Sequence, residues 1–217
     1  MPAQPAILRI IPVRSLVEFV LQSGDITPGG FQRRDRAQLG TKGHRQVQRN
    51  RPEGYESEVE VSYRVESGDV PLEVRGRIDG LYPAHAPVIL EEIKTTTLSL
   101  ELVTEDHNLL HWAQAQCYAF MYARQQGLRE ICIHLTYFHV DTREEKTFAR
   151  AFTFSALEVY FHDLLAAYLD WFGRVSAWQT RRDQSIQKVE FPYTEYRPGQ
   201  REMAVDVYKA IRDGTRL

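Results

Sequence analysis

Two neighbouring segments place carboxylates and a lysine where a pair of strands would bring them together. The first is GRIDG at residues 76–80, which contains Asp79, and the second is VILEEIKTTT at residues 88–97. Side chains alternate between the two faces of an extended strand, so Glu92 and Lys94 share one face. If the segments pair as a hairpin, two carboxylates and one ammonium group converge. Such a trio suits a hard divalent cation and the activation of water against a phosphodiester.

Each member of this trio also has a simpler interpretation. Glu92 and Lys94 are compatible with an ion pair on an exposed strand face, and Asp79 with an ordinary turn aspartate beside a glycine. The second segment is rich in apolar residues, which favours a buried strand over an exposed one. These apolar residues are Val88, Leu90 and Ile93.

Composition limits the class of protein. The chain has 217 residues, is 43% hydrophobic and carries a net charge of −2, which fits one sizeable domain with or without an appendage. We see no run of eighteen apolar residues and no secretory signal, so we expect a cytoplasmic protein without a membrane partner. Two cysteines, Cys117 and Cys132, exclude a four-cysteine metal site within the chain and make a disulfide framework improbable.

A basic run lies between residues 33 and 51. It contains seven cations against Asp35 alone: Arg33, Arg34, Arg36, Lys42, Arg45, Arg49 and Arg51. Such a run is most often a solvated helix face. Beside a metal site it gains a second interpretation, because phosphates must be drawn to that place.

The periodicity of apolar residues predicts an α/β fold with a mixed central sheet flanked by helices. Helices are expected at 12–22, 31–49 and 106–125, and from a capping box at Ser155–Glu158 to about residue 187. Strands are expected at 57–66, 72–82, 88–97, 130–140 and 145–154.

Four motifs in this order resemble the PD-(D/E)XK nucleases, specifically their RecB-like exonuclease branch. They are Gly40-Thr-Lys-Gly-His44, Asp79, the pair Glu92 and Lys94, and Gln114-Ala-Gln-Cys-Tyr118. The resemblance covers roughly residues 12–175 and implies a restriction-endonuclease-like core. A lone aspartate with a Glu-x-Lys pair is a weak signal, and the four motifs together are a specific one.

The resemblance also implies roles for these residues. Asp79 and Glu92 would bind the metal, with the Ile93 carbonyl as a possible third ligand and His44 completing the set. The cofactor would be Mg²⁺ or Mn²⁺, and an imidazole ligand favours Mn²⁺. Lys94 would orient the attacking water and stabilise developing charge. A lone histidine on a basic helix is otherwise usually solvent-facing.

Gln114 and Tyr118 lie one helical turn apart and so present one polar face. We expect them to position the lysine or the scissile phosphate, which places them with Asp79, Glu92 and Lys94 in the catalytic group. The simpler alternative is packing at helical spacing. Glu58 and Glu60, on the polar face of the first predicted strand, are reserve candidates for a second metal.

The tail carries a second resemblance. TEYRPGQREM, within residues 191–217, resembles the adenine-reading Gln motif of DinG/XPD-like superfamily 2 helicases, in which Gln200 would contact ATP. A phosphate-binding G-x-x-x-x-G-K-[ST] loop does not occur in the 217 residues. We therefore expect a nuclease domain at residues 1–190 and a lead-in at 191–217 to a helicase domain of a longer chain.

The expected function is metal-dependent hydrolysis of DNA, in single strands or at ends, within a helicase–nuclease. Backbone-led and salt-sensitive binding is expected, since no base-reading element is evident. Two alternatives remain open. The first is a catalytically inactive module that binds DNA and guides the strand for a helicase. The second is a protein-interaction adaptor with a decayed site.

Overall fold

The computed structural model describes residues 8–21, 33–65, 71–190 and 193–214, and the side chains of residues 33–39 are outside this description. Residues 31–32 of the predicted basic helix and the two ends of the predicted lead-in also lie outside it.

Eleven elements follow one another in the described residues. The strands are β1 (Arg9–Pro12), β2 (Glu56–Val65), β3 (Leu72–Tyr82), β4 (Val88–Thr96), β5 (Glu130–His139) and β6 (Glu145–Thr153). The helices are α1 (Val13–Leu21), α2 (Arg33–Arg49), α3 (Leu109–Gln126), α4 (Phe154–Ile186) and α5 (Gln200–Asp213).

The six strands form one mixed sheet, which confirms the predicted fold class. Its order is β1-β3-β4-β5-β6, with β2 also pairing with β3. The β3–β4 hairpin is antiparallel and β4–β5 is parallel. β1 was missed by the sequence prediction, because four residues of Arg-Ile-Ile-Pro show too short a pattern to identify a strand.

One edge of β3 is shared by two strands that do not meet. β1 pairs with β3 as far as Arg75, and β4 pairs with it from Gly80 onward. Between these two points, residues 76–79 have no strand partner on that edge in the described structure. The GRIDG segment therefore occupies an opening in the sheet.

Helices cover both faces of the sheet. On one face, α1 and α3 pack over a core that includes Leu16, Leu90 and Phe120. On the other face, Val47 of α2 packs against Ile93 and Phe138. Leu90 and Ile93 of β4 thus point to opposite faces of the sheet, and each packs against the helical layer on its own face.

The start of α4 differs from the predicted capping box. The hydroxyl of Thr153 accepts a hydrogen bond from the backbone N–H of Ala156 at 3.3 Å, and Ser155 already lies inside the helix. Both residues are good N-caps. β6 ends at Thr153, and the helix begins at the next residue, Phe154.

The described chain divides into two compact units, and the division falls within α4, between Trp171 and Phe172. The predicted domain boundary at residue 190 stays a prediction. In the part of the chain that the structure describes, no helix has the length and apolarity needed to cross a membrane.

Candidate active site

The two glycines of GRIDG make room for aromatic rings on opposite faces of the sheet. A methyl group on Gly76 would overlap the ring of Tyr118 from α3. A methyl group on Gly80 would overlap the hydroxyl end of Tyr55. Close approach of side chains thus requires glycine at both positions, where one ring comes from α3 and the other from the loop between α2 and β2.

Asp79 lies in the opening between β3 and β4. Its Oδ2 accepts a hydrogen bond from the backbone N–H of Ile93 at 2.8 Å, in the place where a strand partner would bind. Its Oδ1 lies 3.2 Å from Nδ1 of His44. In an antiparallel pair the amide and carbonyl of one residue face the same side, so the Ile93 carbonyl also faces this opening.

Glu92 is buried, with 2% of its side chain exposed, and its two oxygens differ. Oε1 accepts a hydrogen bond from Nζ of Lys94 at 2.6 Å. Among the described residues, Oε2 is the one buried side-chain oxygen without a hydrogen-bond partner. Burial raises the pKa of Glu92 to about 7, with the charge of Asp79 adding to the rise and Lys94 opposing it.

A buried atom of this kind normally has a partner, since leaving it unpaired costs about 1–3 kcal/mol. An unpaired acceptor beside a second carboxylate is the arrangement that a bound cation relieves. Glu92 therefore has the environment of a ligand rather than that of a structural ion pair.

Lys94 belongs to a chain of polar contacts that runs from β4 to α3. Its Nζ donates to Oε1 of Gln114 at 3.1 Å as well as to Glu92. Nε2 of Gln114 in turn donates to the Tyr118 hydroxyl at 2.9 Å. The lysine thus has a fixed position beside the carboxylates, and 19% of its side chain remains exposed.

His44 reaches the opening from α2, on the opposite side from Gln114. Burial by itself lowers the pKa of His44, but the hydrogen bond and charge of Asp79, helped by Glu92, raise it above 6.5 in total. Gln48, one turn further along α2, donates to the carbonyl of Asp79 at 2.9 Å and to Glu58 at 2.9 Å. Gln48 was not predicted from the sequence as a site residue, although its i, i+4 spacing from His44 indicates that both lie on one side of the helix.

The donor set matches a hard cation in its chemistry. Two carboxylates, an imidazole and a backbone carbonyl suit Mg²⁺ or Mn²⁺, and the unpaired Oε2 of Glu92 is the observation that supports the fit. Within the described residues, no three His, Cys, Asp or Glu side chains already stand as a complete ligand cluster. Nδ1 of His44 is engaged by Asp79, which leaves Nε2 as the ring nitrogen that could bind a cation.

Glu91, the neighbour of Glu92, points to the other face and is fully bonded. Arg51 donates to both of its oxygens, at 2.6 and 3.0 Å. Tyr55 donates to it at 2.9 Å and Thr136 at 2.7 Å. Burial raises the pKa of Tyr55, as does the charge of Glu91, which keeps its hydroxyl protonated and donating. This network ties the end of α2 to β4.

A groove of about 1470 Å³ passes over the opening. Its lining includes His44 and four of the five predicted catalytic residues, Asp79, Lys94, Gln114 and Tyr118, whereas the fifth, Glu92, is buried and is not part of the lining. The reserve pair Glu58 and Glu60 also lines it. An extended polymer fits such a groove better than a small enclosed ligand does.

Glu58 stands in a left-handed backbone conformation with φ of +59°, which is uncommon for a residue other than glycine. Its carboxylate binds Gln48 at 2.9 Å and Arg77 at 2.6 Å. These contacts direct it toward α2, and its role in a second metal site stays a prediction.

His111, one helical turn before Gln114, also lines the groove. Its Nδ1 lies 3.0 Å from the hydroxyl of Tyr137. Burial, with the charge of Lys94, lowers its pKa to about 3, so this imidazole is neutral at physiological pH. Its position one turn before Gln114 is the signal that placed it near the site.

Gln200 belongs to the second compact unit. It lies at the start of α5, where its Oε1 accepts a hydrogen bond from the backbone N–H of Arg197 at 3.1 Å. Its predicted contact with adenine remains a prediction.

No protein-family model matches the chain, and no curated protein matches it. The crystal structure of SSO0001 is similar over 76% of this chain and 78% of its own, at 18% identity and a TM-score of 0.45. A phage-related exonuclease from Haemophilus somnus 129PT is similar over 77% of this chain and 82% of its own, at 12% identity and a TM-score of 0.45. These likenesses are too distant to carry an argument about function.

Proposed function

We propose that the chain is a metal-dependent nuclease that hydrolyses phosphodiester bonds in DNA, in single strands or at ends. The single observation that carries this proposal is the unpaired, buried Oε2 of Glu92, set beside Asp79, His44 and Lys94. A carboxylate with one unpaired oxygen beside a second carboxylate, and with a lysine 2.6 Å from its other oxygen, combines the parts that phosphodiester hydrolysis needs. Asp79, His44 and Lys94 line an open groove rather than an enclosed cavity.

The residues of the site would have different roles in this reaction. Asp79 and Glu92 would hold a Mg²⁺ or Mn²⁺ ion, with the Ile93 carbonyl and His44 as further ligands. Such an ion, when bound, polarises the phosphate and lowers the pKa of water. Lys94 stabilises the negative charge that develops on the phosphate oxygens.

Gln114 and Tyr118 act through Lys94. Because Gln114 accepts from Lys94 and donates to Tyr118, the amide fixes the direction in which the ammonium group points. A positioned charge stabilises a transition state more than a mobile one, since no reorganisation is needed during the reaction.

We also propose that the chain works beside a helicase domain in the same polypeptide. The Gln motif around Gln200 supports this, as does its place at the head of an amphipathic helix without buried residues, α5. The activity proposed for Asp79, Glu92 and Lys94 does not depend on this context.

One observation favours the alternative of a non-catalytic module that guides a DNA strand. Both oxygens of Asp79 are already engaged, by His44 and by the backbone N–H of Ile93. A site that stays closed in this way would bind DNA in the groove without cutting it.

Cleavage assays separate these two functions. Purified chain is incubated with end-labelled linear and with circular single-stranded DNA, in Mn²⁺ and in EDTA. We expect cleavage in Mn²⁺ and none in EDTA. Lys94→Ala is expected to lower the rate by about 100-fold or more, in the range typical of removing one charge-stabilising group. Lys188→Ala, which removes an exposed lysine of the second unit, serves as the matched control.

Three outcomes are informative. Cleavage of the circular substrate shows endonuclease action. Equal rates in Lys94→Ala and the wild type overturn the assigned site. DNA binding without cleavage in any metal supports the strand-guiding module.

A further inference from the structure

We propose that one exposed face of α2 binds the phosphate backbone of a single DNA strand next to the scissile bond. This face consists of Lys42, Arg45 and Arg49, and we call it the α2 cationic face. The inference rests on the proposed function, because it identifies where the substrate strand lies as it reaches the site.

The three cations share one side of the helix. Their spacing is i, i+3 and i+7, which places them in one row. All three are exposed. Together with Gln46 and Asn50 they line a hollow of about 350 Å³. The row covers seven residue steps, or about 10 Å of helix, so the three cations can contact one continuous stretch of a phosphate backbone.

The α2 cationic face is continuous with the active-site groove. Arg45 lines both the hollow and the groove. The residue before it in sequence, His44, lies within hydrogen-bonding distance of Asp79. A strand whose phosphate reaches Asp79 therefore has a cation as its next contact on the α2 side.

Cations on the other wall of the groove are already paired. Arg14 binds Glu18 at 2.7 Å, Arg75 binds Glu73 at 3.0 Å, and Arg77 binds Glu58 at 2.6 Å.

The α2 cationic face has no such neutralisation. Among the described residues, no ion pair involves Lys42, Arg45 or Arg49. The free positive charge of the groove is therefore concentrated on the α2 side.

This one-sided charge favours a single strand over a duplex. A single row of cations neutralises one phosphate backbone. A duplex presents two backbones, and the second would lie against arginines that glutamates already neutralise. The proposed ligand of the α2 cationic face is therefore single-stranded DNA.

The inner side of α2 holds the cationic face in place. Val47 is completely buried against Ile93 and Phe138. Gly43 lies so close to Thr95 that a methyl group there would overlap its side chain. Just after the helix, Arg51 is fixed by Glu91. Arg51 was part of the predicted basic run, but this pairing removes it from contact with phosphate.

The test is the salt dependence of binding. Fluorescence anisotropy measures the affinity for a labelled single-stranded 20-mer and, separately, for the same 20-mer as a duplex, in EDTA so that no cleavage occurs, across a series of salt concentrations. The variant carries Lys42→Gln, Arg45→Gln and Arg49→Gln. The slope of log K against log salt is negative, and each lost phosphate contact on a single strand reduces its magnitude by about 0.7. For three lost contacts we therefore expect the magnitude of the slope to be smaller by about 2. Affinity at low salt should fall at least tenfold.

A control variant removes the same charge elsewhere. It carries Arg181→Gln, Lys188→Gln and Lys209→Gln, three exposed cations of the second unit. We expect its salt slope to equal that of the wild type. Equal thermal unfolding midpoints in all three proteins would show that the fold is intact.

Three results would overturn the proposal: an unchanged slope in the α2 variant, an equal loss in the control, or a loss confined to duplex DNA. Because the assay measures binding alone, it is independent of whether the chain cleaves DNA. A wild-type protein that binds with the expected slope but never cuts refutes the nuclease and leaves the α2 cationic face standing.

Discussion

Glu91 and Glu92 are adjacent on β4, equally buried, and opposite in their surroundings. Glu91 binds Arg51, Tyr55 and Thr136, so both of its oxygens are satisfied. Glu92 has one oxygen on Lys94 and the other without a partner.

Two adjacent residues of one short strand thus have different purposes. Because side chains alternate, one carboxylate faces each helical layer. The fully bonded one fastens α2 to the sheet. The incompletely bonded one, Glu92, lies in an unfavourable environment that a bound cation would relieve. Such environments are typical of functional sites.

Replacing each of the two carboxylates in turn by an amide should give the greatest difference in cleavage rate. Glu92→Gln removes a proposed metal ligand and should lower the Mn²⁺-dependent cleavage rate by about 100- to 1000-fold. Glu91→Gln should leave the rate within a few-fold of wild type at temperatures where it is folded, because Glu91 does not face the groove. Comparable rate losses in both variants would remove the distinction between the two residues. Rates measured side by side at one Mn²⁺ concentration provide the check.

The next largest effect concerns stability. Arg51→Leu leaves Glu91 buried without its cation, and breaking a buried pair in this way costs about 3–5 kcal/mol. Urea unfolding followed by circular dichroism should therefore show a lower free energy of unfolding. Lys94→Leu, which removes the cation of the other carboxylate, should cost less, because protonation of Glu92 at its raised pKa relieves the unpaired charge. A larger cost for Lys94→Leu than for Arg51→Leu would contradict this account.

A smaller effect is expected from the two glycines of β3. Gly76→Ala places a methyl group against Tyr118, which displaces its hydroxyl from Gln114 and loosens Lys94. We expect kcat to fall about tenfold, in line with the sensitivity of catalysis to small misplacements. Gly80→Ala instead disturbs Tyr55 and should lower the unfolding midpoint. Steady-state kinetics and thermal unfolding of both variants would show whether the two effects separate in this way.

A last effect, on binding rather than on rate, is a pH dependence of metal affinity. The pKa of Glu92 is raised to about 7 by burial, and that of His44 is raised by Asp79 despite its burial. Both side chains must be deprotonated to bind a cation, so acid competes with the metal. Mn²⁺ affinity, measured by calorimetry, should fall at least tenfold from pH 8 to pH 6. Glu92→Gln should show a flatter dependence, and equal wild-type affinities at both pH values would contradict the assignment.

Local patterns were sufficient to predict the β3–β4 hairpin and the positions of Asp79, Glu92 and Lys94. Period-two alternation also separates Glu91 from Glu92. It does not reveal which of them meets Arg51, because that contact depends on how α2 packs across the sheet. The same long-range packing removed Arg51 from the basic run.

Other features depended on contacts distant in sequence. β1 is four residues long and is stabilised by pairing with β3, some sixty residues later, so its own sequence indicates little. The opening at residues 76–79 follows from two strands that share one edge, and sequence spacing does not encode this. Gln48 belongs to the site only because α2 crosses near Asp79.

The most direct test of the central claim is an anomalous diffraction map from crystals soaked in Mn²⁺, recorded near the manganese edge. The account predicts one peak in the opening between β3 and β4, about 2.0–2.3 Å from Oε2 of Glu92 and from a carboxylate oxygen of Asp79. A protein that cleaves DNA with Mn²⁺ but shows its manganese elsewhere, with Oε2 of Glu92 still unpaired, would contradict it.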